Sequence, residues 1–583
     1  MSRESKTETV DAITAEVVRN AVVSITDEMK TNLMRTAYNM IIYEAEDFTV
    51  GLFDADGNTI SIGLGLPMFI RGLSDTIKAK LAFWGRENIE PGDILLTNDA
   101  YIMGSHLNHM IFTMPVFHEG ELVAFSASMA HWQDVGGVLG SGTRDIFSEG
   151  LQLPFVKIFK AGKQDEELTA IIRMNVRLPE LAMGDFRAQV AAIRTGERRL
   201  SGLLKRYGSE AFKQSIALIY DQSERQARAA VSAIPDGVYE AESFMDDDGV
   251  VVGKPLPIRV RVEVSGDEMT IDLSNVSLQV AGHYNSGATA GRSACEVAFK
   301  CLTTPVLLPI NEGSFRPLKI VLPPGRVVSA TKPSPMRMWM TIPMTVVDTV
   351  FKAVAEACPQ LVAAGHHADL ISASPHGFDA QTGRVFFGQL GPLGGGWGAK
   401  LGEDGNSATI CINDGDTHNA PVEAAEAKAP ILVEERSLRE DSAGAGRWRG
   451  GLGIRQQVRM LQPGVFNASV ERTKCSPWGL FGGKDAVANK IDILRADGTV
   501  EEFENGKIYQ MPLAKGDGYL NQSGGGGGFG DPLQRPLEAV LADVVSGYVS
   551  PDAAQRDYGV VIKSDGVKVE VDRAKTSALR GEQ

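Results

Sequence analysis

Five cysteines (Cys295, Cys301, Cys358, Cys411 and Cys475) are spread over 583 residues with no Cys-x-x-Cys pair. That spacing argues against a disulfide framework or a zinc knuckle and leaves buried, reduced thiols as the plain reading. No window approaches the roughly 18 apolar residues that a bilayer span requires, and the leading "MSRESKTETVDAIT" has no apolar core, so a cytoplasmic protein without membrane attachment is expected. Net charge is −15 and no Lys/Arg stripe is clustered, which removes the attraction that drives nucleic-acid binding. Three catalytic signatures are also missing: G-x-x-x-x-G-K-[ST], H-E-x-x-H and G-x-S-x-G. "GGGWGA" at 394–399 fits a dinucleotide fingerprint by letter only, because the "KLGEDG" that follows reads as a turn rather than a helix.

What the chain has in excess is glycine, 63 residues, which implies many tight turns between strands or around a site. Val17, Ala21, Val22, Ile25, Met29, Leu33 and Met34 recur at helical spacing and predict a long amphipathic helix. "FTVGLFDADGNTISIG" reads as a β-hairpin, and "SDTIKAKLAFWG" as a helix capped by Ser74 and stopped near Gly85. Helical pattern fills about 168–233. "PIRVRVEVSGDEMTIDLSN" alternates as strands, and turns and strands dominate 375–532, where composition alone reads "GGGGG" (524–528) as a flexible linker. A short helix is expected from Pro536 to about Ser546. The pattern is α+β (mixed α/β): a large multi-layer unit with a mixed N-terminal part (1–232), a β-rich central and C-terminal part (233–532) and a small helical tail (533–583).

The histidines in "HLNHMIFTMPVFHEGELVAFSASMAHWQDVGG" (106–137) carry the most chemical information. A hairpin folded about Gly120 pairs residues whose numbers sum to 240, which sets His109 opposite His131. Opposed residues have Cβ atoms about 4.5 to 5.5 Å apart, close enough for both imidazoles to reach one ion, and a turn at 106–109 would add His106. Asp47, Asp99 and Asp134 are the candidate carboxylates, and spacing does not choose among them. The plainer alternative is that these histidines cap strand ends, since a slip of one residue would turn His131 to the other face.

Beyond these residues, "EDFTVGLFDADGN", "PGDILLTNDAY", the histidine hairpin, "NEGSFRPLKIVLPPG", "NAPVEAAEAKAPILVEE", "SAGAGRWRGGLGIR", "SPWGLFGGK" and "GGGGGFGDPLQRP" occur in a fixed order. Together they resemble the hydantoinase B/oxoprolinase family over nearly the whole chain. The resemblance implies a metal site at Asp47, His106, His109 and His131. Where many members read H-L-P-D this chain has His109 in place of the carboxylate, and where many read A-H-H-A-D it has Ala130-His131-Trp132-Gln133-Asp134. A His₃Asp set suits Zn²⁺, with Mn²⁺ as the second choice.

The resemblance further implies a hetero-oligomer in which an A-type ATPase subunit, consuming ATP, phosphorylates the carbonyl oxygen of a hydantoin, 5-oxoproline or similar lactam. This chain would then hydrolyse the activated ring, the ion acidifying water from a pKa of ~15.7 toward ~7. In the alternative, a ketone carboxylase, bicarbonate and an enol phosphate replace water and the imidate. Asp134, Asp99 and His418 are the candidates for general base or supporting roles. In this light the five-glycine run is an ordered loop.

Overall fold

The computed structural model describes residues 10–303, 308–388, 390, 392–415, 417–564 and 568–581. Helix α1 (Ala12–Thr36) starts where the Asp11 carboxylate accepts the backbone N–H groups of Ile13 and Thr14 at 2.9 and 3.0 Å. It buries Val22, Ile25, Met29 and Leu33 of the predicted stripe, but Val18 rather than Val17, which is exposed, extends the buried face toward the N-terminus. A short helix, α2 (Met40–Tyr43), leads into β1 (Phe48–Asp54) and β2 (Thr59–Leu64). Helix α3 (Gly72–Trp84) begins two residues before the expected cap: Ser74 lies inside it and donates its hydroxyl to the Gly57 carbonyl at 2.7 Å, tying the helix to the preceding turn. Gly85 ends it as expected, at φ 72°.

Strands β3 (Ile94–Thr97), β4 (His109–His118), β5 (Glu121–His131), β6 (Val156–Lys160) and β7 (Lys163–Gln164) complete a seven-stranded sheet of order β2-β1-β5-β4-β3-β6-β7. Every pairing in it is antiparallel. One four-residue helix, α4 (Ala100–Met103), lies between β3 and β4. The sheet is covered on both faces. On one, even-numbered Phe48, Val50, Leu52, Ala124 and Ala130 pack against α1 and the two long helices α6 (Pro179–Tyr207) and α7 (Ser209–Val231) that follow α5 (Glu166–Asn175). On the other, odd-numbered Phe53, Ile111, Phe125, Ala127 and Met129 enter the largest core.

That core is shared with the second sheet, order β11-β10-β9-β8, built from β8 (Gly237–Met245), β9 (Leu256–Ser265), β10 (Glu268–Asp272) and β11 (Leu318–Val321). Helices α8 (Ala288–Thr303) and α9 (Thr341–Val354) fill the space between, α9 being buried almost all round.

After residue 371 the chain forms two more antiparallel sheets, of four and five strands, enclosing their own core. The five-glycine run is no linker. Gly526 and Gly527 donate to the carbonyls of Gly451 and Gly365 at 2.9 and 2.8 Å, and their own carbonyls accept from Gly444 and Ala399 at 2.9 Å. A Cβ on Gly526 would stand 1.8 Å from the Trp397 carbonyl oxygen, so only glycine allows the neighbouring strands this close. "GGGWGA" belongs to the same stack of extended segments and opens no helix. The tail carries the expected helix (Leu537–Val545), two shorter ones (Pro551–Tyr558 and Arg573–Arg580) and a two-stranded ribbon (Ile562–Ser564 with Val569–Val571) that the sequence did not announce. No described helix is long and apolar enough to cross a membrane. The architecture is α+β.

Candidate active site

The β4–β5 hairpin sets His109 opposite His131. The route differs slightly from the symmetric one. Glu119 and Gly120, at φ 50° and 84°, make a two-residue turn that pairs His118 with Glu121, and a bulge near Val116/Phe117 brings the rest of the ladder back to the expected register. On the other side of β5, Phe48 pairs with Ala130, and the Asp47 carbonyl accepts the His131 N–H at 3.1 Å. Asp47, His131 and His109 therefore form one row across β1, β5 and β4, at the end of the face that carries Met129 and Ile111. His106 joins them because Gly104 ends α4 at φ 86° and turns the chain back toward β4.

The imidazoles cluster tightly: ring centroids are 4.6 Å apart for His106–His109, 4.8 Å for His106–His131 and 5.4 Å for His109–His131. His109 Nε2 lies 3.0 Å from Asp47 Oδ1, and its Nδ1 2.7 Å from Ser105 Oγ. His106 Nδ1 is 3.2 Å from the Arg337 carbonyl. Two donor atoms, His106 Nε2 and His131 Nδ1, are buried without any partner among the described residues. Burial pushes His131 down to about 4 despite Asp47 beside it, and pushes His106 well below the usual imidazole value, so both rings are neutral at neutral pH with a lone pair free. Burial pushes the Asp47 carboxyl up, but His109 and His131 outweigh it and hold Asp47 below the ordinary carboxylate value.

The donor types fit a divalent cation: neutral imidazoles with unused nitrogens, beside an ionised carboxylate. Their arrangement is not that of a site closed on an ion. Among the described residues, no group of three or more His, Cys, Asp or Glu side chains could hold a metal as it stands. His109 Nε2 and Asp47 Oδ1, two of the four donors, are bonded to each other instead.

The cluster forms one end of a cavity of about 150 Å³. Its other walls are largely apolar, from Met40, Ile41, Leu66, Met338, Trp339 and Leu370, and Asp414 and the exposed His418 also line it. His418 is thus placed at the cavity. Asp99 and Asp134 do not line it. Asp99 caps α4, accepting the Tyr101 N–H at 2.9 Å, and Asp134 is held by the Arg177 guanidinium at 2.5 Å. The residue that the sequence reading missed is Asp414. In "CINDGDTH" it looks like any turn-forming aspartate, and only the fold brings it to the histidines.

A model of the hydantoinase B/oxoprolinase family matches residues 11–532. The chain belongs to that family. Among its relatives is the beta chain of a caprolactamase from Pseudomonas jessenii, 33% identical over 98% of this chain and 99% of that one. The crystal structure of the ATP-dependent caprolactamase from that organism superposes with a TM-score of 0.91, at 31% identity over 98% of this chain and 100% of that one. The B-type subunit of a putative D-/L-hydantoinase from Pseudomonas sp. (strain NS671) is 30% identical over 98% of each chain. An acetone carboxylase structure shares the fold at a TM-score of 0.91, with 19% identity over 98% of this chain and 83% of that one.

Proposed function

We propose that this chain is the metal-dependent subunit of an ATP-dependent cyclic amide hydrolase, acting on a ring whose carbonyl oxygen a partner A-type ATPase subunit has phosphorylated. The observation that carries the reading is the buried row of Asp47, His131 and His109 with His106 against it, opening into an apolar cavity in a chain of this family. Hydantoinase and caprolactamase relatives, both named as subunits, support cyclic amides as the substrate class and a partner as a requirement. ATP consumption fits a cytoplasmic setting.

The physical logic is that an unstrained lactam is a poor electrophile, whereas an O-phosphorylated imidate carries its own leaving group. Asp47, His106, His109 and His131 would hold the cation, Zn²⁺ or else Mn²⁺, which supplies a Lewis acid and acidifies water next to the ring. The apolar walls exclude bulk water, which strengthens every charge interaction inside. Ser105 and the Arg337 carbonyl fix the His109 and His106 rings through their Nδ1 atoms, the orientation that keeps the Nε2 atoms toward their neighbours.

The test is to purify the chain together with its ATPase partner, measure bound metal by plasma mass spectrometry and follow ADP release. Release driven by a hydantoin or lactam without bicarbonate, about one metal per chain, and loss of both metal and turnover in His131→Ala are expected. ADP release that needs bicarbonate and a ketone, or full turnover by a metal-free or His131→Ala complex, would refute the reading.

A further inference from the structure

Asp414 sits in a turn whose backbone is tied down on both sides. Its N–H donates to the Cys411 carbonyl at 2.9 Å, its carbonyl accepts the Thr417 hydroxyl at 2.7 Å, and the Asn413 carbonyl accepts the Met68 N–H at 2.9 Å, which pins the turn against the N-terminal part. The side chain contributes nothing to this. Both carboxyl oxygens are buried and neither has a hydrogen-bond partner among the described residues, although the residue is only 1% exposed. A buried carboxyl left bare costs stability unless something else uses it. Among the described residues lining the cavity, the other acids are Glu44, which is half-exposed, and Asp47, which His109 already engages. The cation Arg337 donates from Nη2 to the Val138 and Glu149 carbonyls, at 2.9 and 3.3 Å, while its Nε has no partner among the described residues.

We propose that Asp414 is the catalytic acid of the ring-opening step, its carboxyl touching the substrate's ring nitrogen. The proposal rests on the cyclic amide reading above. Water first adds to the phosphorylated imidate: its oxygen bonds to the carbon, the C=N π pair goes to nitrogen with the Asp414 proton, and the proton that water loses returns to Asp414. As the remaining carbon–nitrogen bond breaks, its electron pair goes to nitrogen, the Asp414 proton follows, and the hydroxyl proton of the adduct returns to Asp414 as the carbonyl of an acyl phosphate forms. A second water hydrolyses that acyl phosphate to carboxylate and phosphate, so two waters are consumed, the phosphate and the amine leave, and Asp414 ends as it began. Burial, reinforced by the carboxyls of Asp47 and Asp369, raises Asp414 well above the ordinary carboxyl value, the direction a proton donor needs.

A proton donor matters most where the departing nitrogen is most basic. Asp414→Asn in the complex with its ATPase partner should therefore lower kcat by roughly 10²- to 10⁴-fold on a saturated lactam, whose nitrogen leaves as an alkylamine. It should lower kcat by less than about tenfold on a hydantoin, whose nitrogen leaves as a urea, with KM and bound metal unchanged on both. Equal losses on the two rings would overturn the acid role while leaving the proposed function standing. A wild-type complex that hydrolyses neither ring refutes the proposed function, and the acid role with it. Independently of turnover, the infrared carbonyl band of a protonated carboxylic acid at neutral pH should disappear in Asp414→Asn, and an unchanged difference spectrum would also overturn the assignment. Should the asparagine variant not fold, Asp414→Ala with added formic acid should recover turnover on the lactam, and a folded alanine variant that formic acid does not rescue overturns the proposal.

Discussion

His366 is buried with both ring nitrogens lacking a partner among the described residues, and burial pushes it down to about 4 despite the nearby carboxylate of Asp348. The unfolded chain would bind that proton near pH 6.5, so between about 6.5 and 4 the unfolded state holds protons that the folded state refuses. The neutral ring's contribution is complete above pH 6.5 and is lost as pH falls toward 4, on the order of 3 kcal/mol. Urea unfolding of wild type and His366→Gln at pH 7.5 and pH 4.5 should show a smaller acid-induced loss in the variant. Equal losses would mean that His366 takes up its proton in the folded state.

Single residues also mark how far the sequence could be read. The pairing of His109 with His131 was legible from strand periodicity and a turn at Gly120, although the bulge near Val116/Phe117 that restores this register was not. Asp414 was not legible, because an aspartate in a turn gains chemical meaning only from the cavity that the fold places beside it. Asp99 and Asp134 sat close to the histidines in sequence, but a helix N-terminus and an arginine claim them.

At the scale of elements, periodic helices and strands were legible and the glycine stack was not. Extended segments that pair through consecutive glycines have no side-chain pattern to announce them, so composition alone read the run as a linker. Its close packing makes a sharp prediction. Gly526→Ala puts a methyl against backbone atoms of Trp397 that cannot swing aside, and should cost about 3 kcal/mol or more. Gly498→Ala is the control: its φ is 90° and nothing lies within 4 Å of the added carbon, so it should cost only about 1 kcal/mol of backbone strain. Urea midpoints measure both. A Gly526→Ala variant as stable as Gly498→Ala would show that the stack opens easily, as a linker would.

Across the whole molecule, the largest core ignores the boundary near residue 232 that changes in sequence texture suggest. Ile111, Phe125 and Met129 from the first sheet share it with Val260 and Val262 of the second and with Val346 and Val350 of α9. The cavity is divided in the same way: Met40, Asp47, His106 and His131 come from before residue 232, and Met338, Trp339, Leu370 and Asp414 from after it. A fragment of residues 1–232 would therefore expose one apolar face of its sheet, a larger patch than soluble monomers tolerate. It should aggregate or bind a hydrophobic dye strongly, and it should lack half of the substrate cavity. For the full chain, one cooperative unfolding transition is expected, seen at the same denaturant concentration by tryptophan fluorescence and far-ultraviolet circular dichroism. Two separated transitions, or a soluble 1–232 fragment with a native-like β spectrum, would show that the halves fold independently and that the shared core is an interface between finished domains.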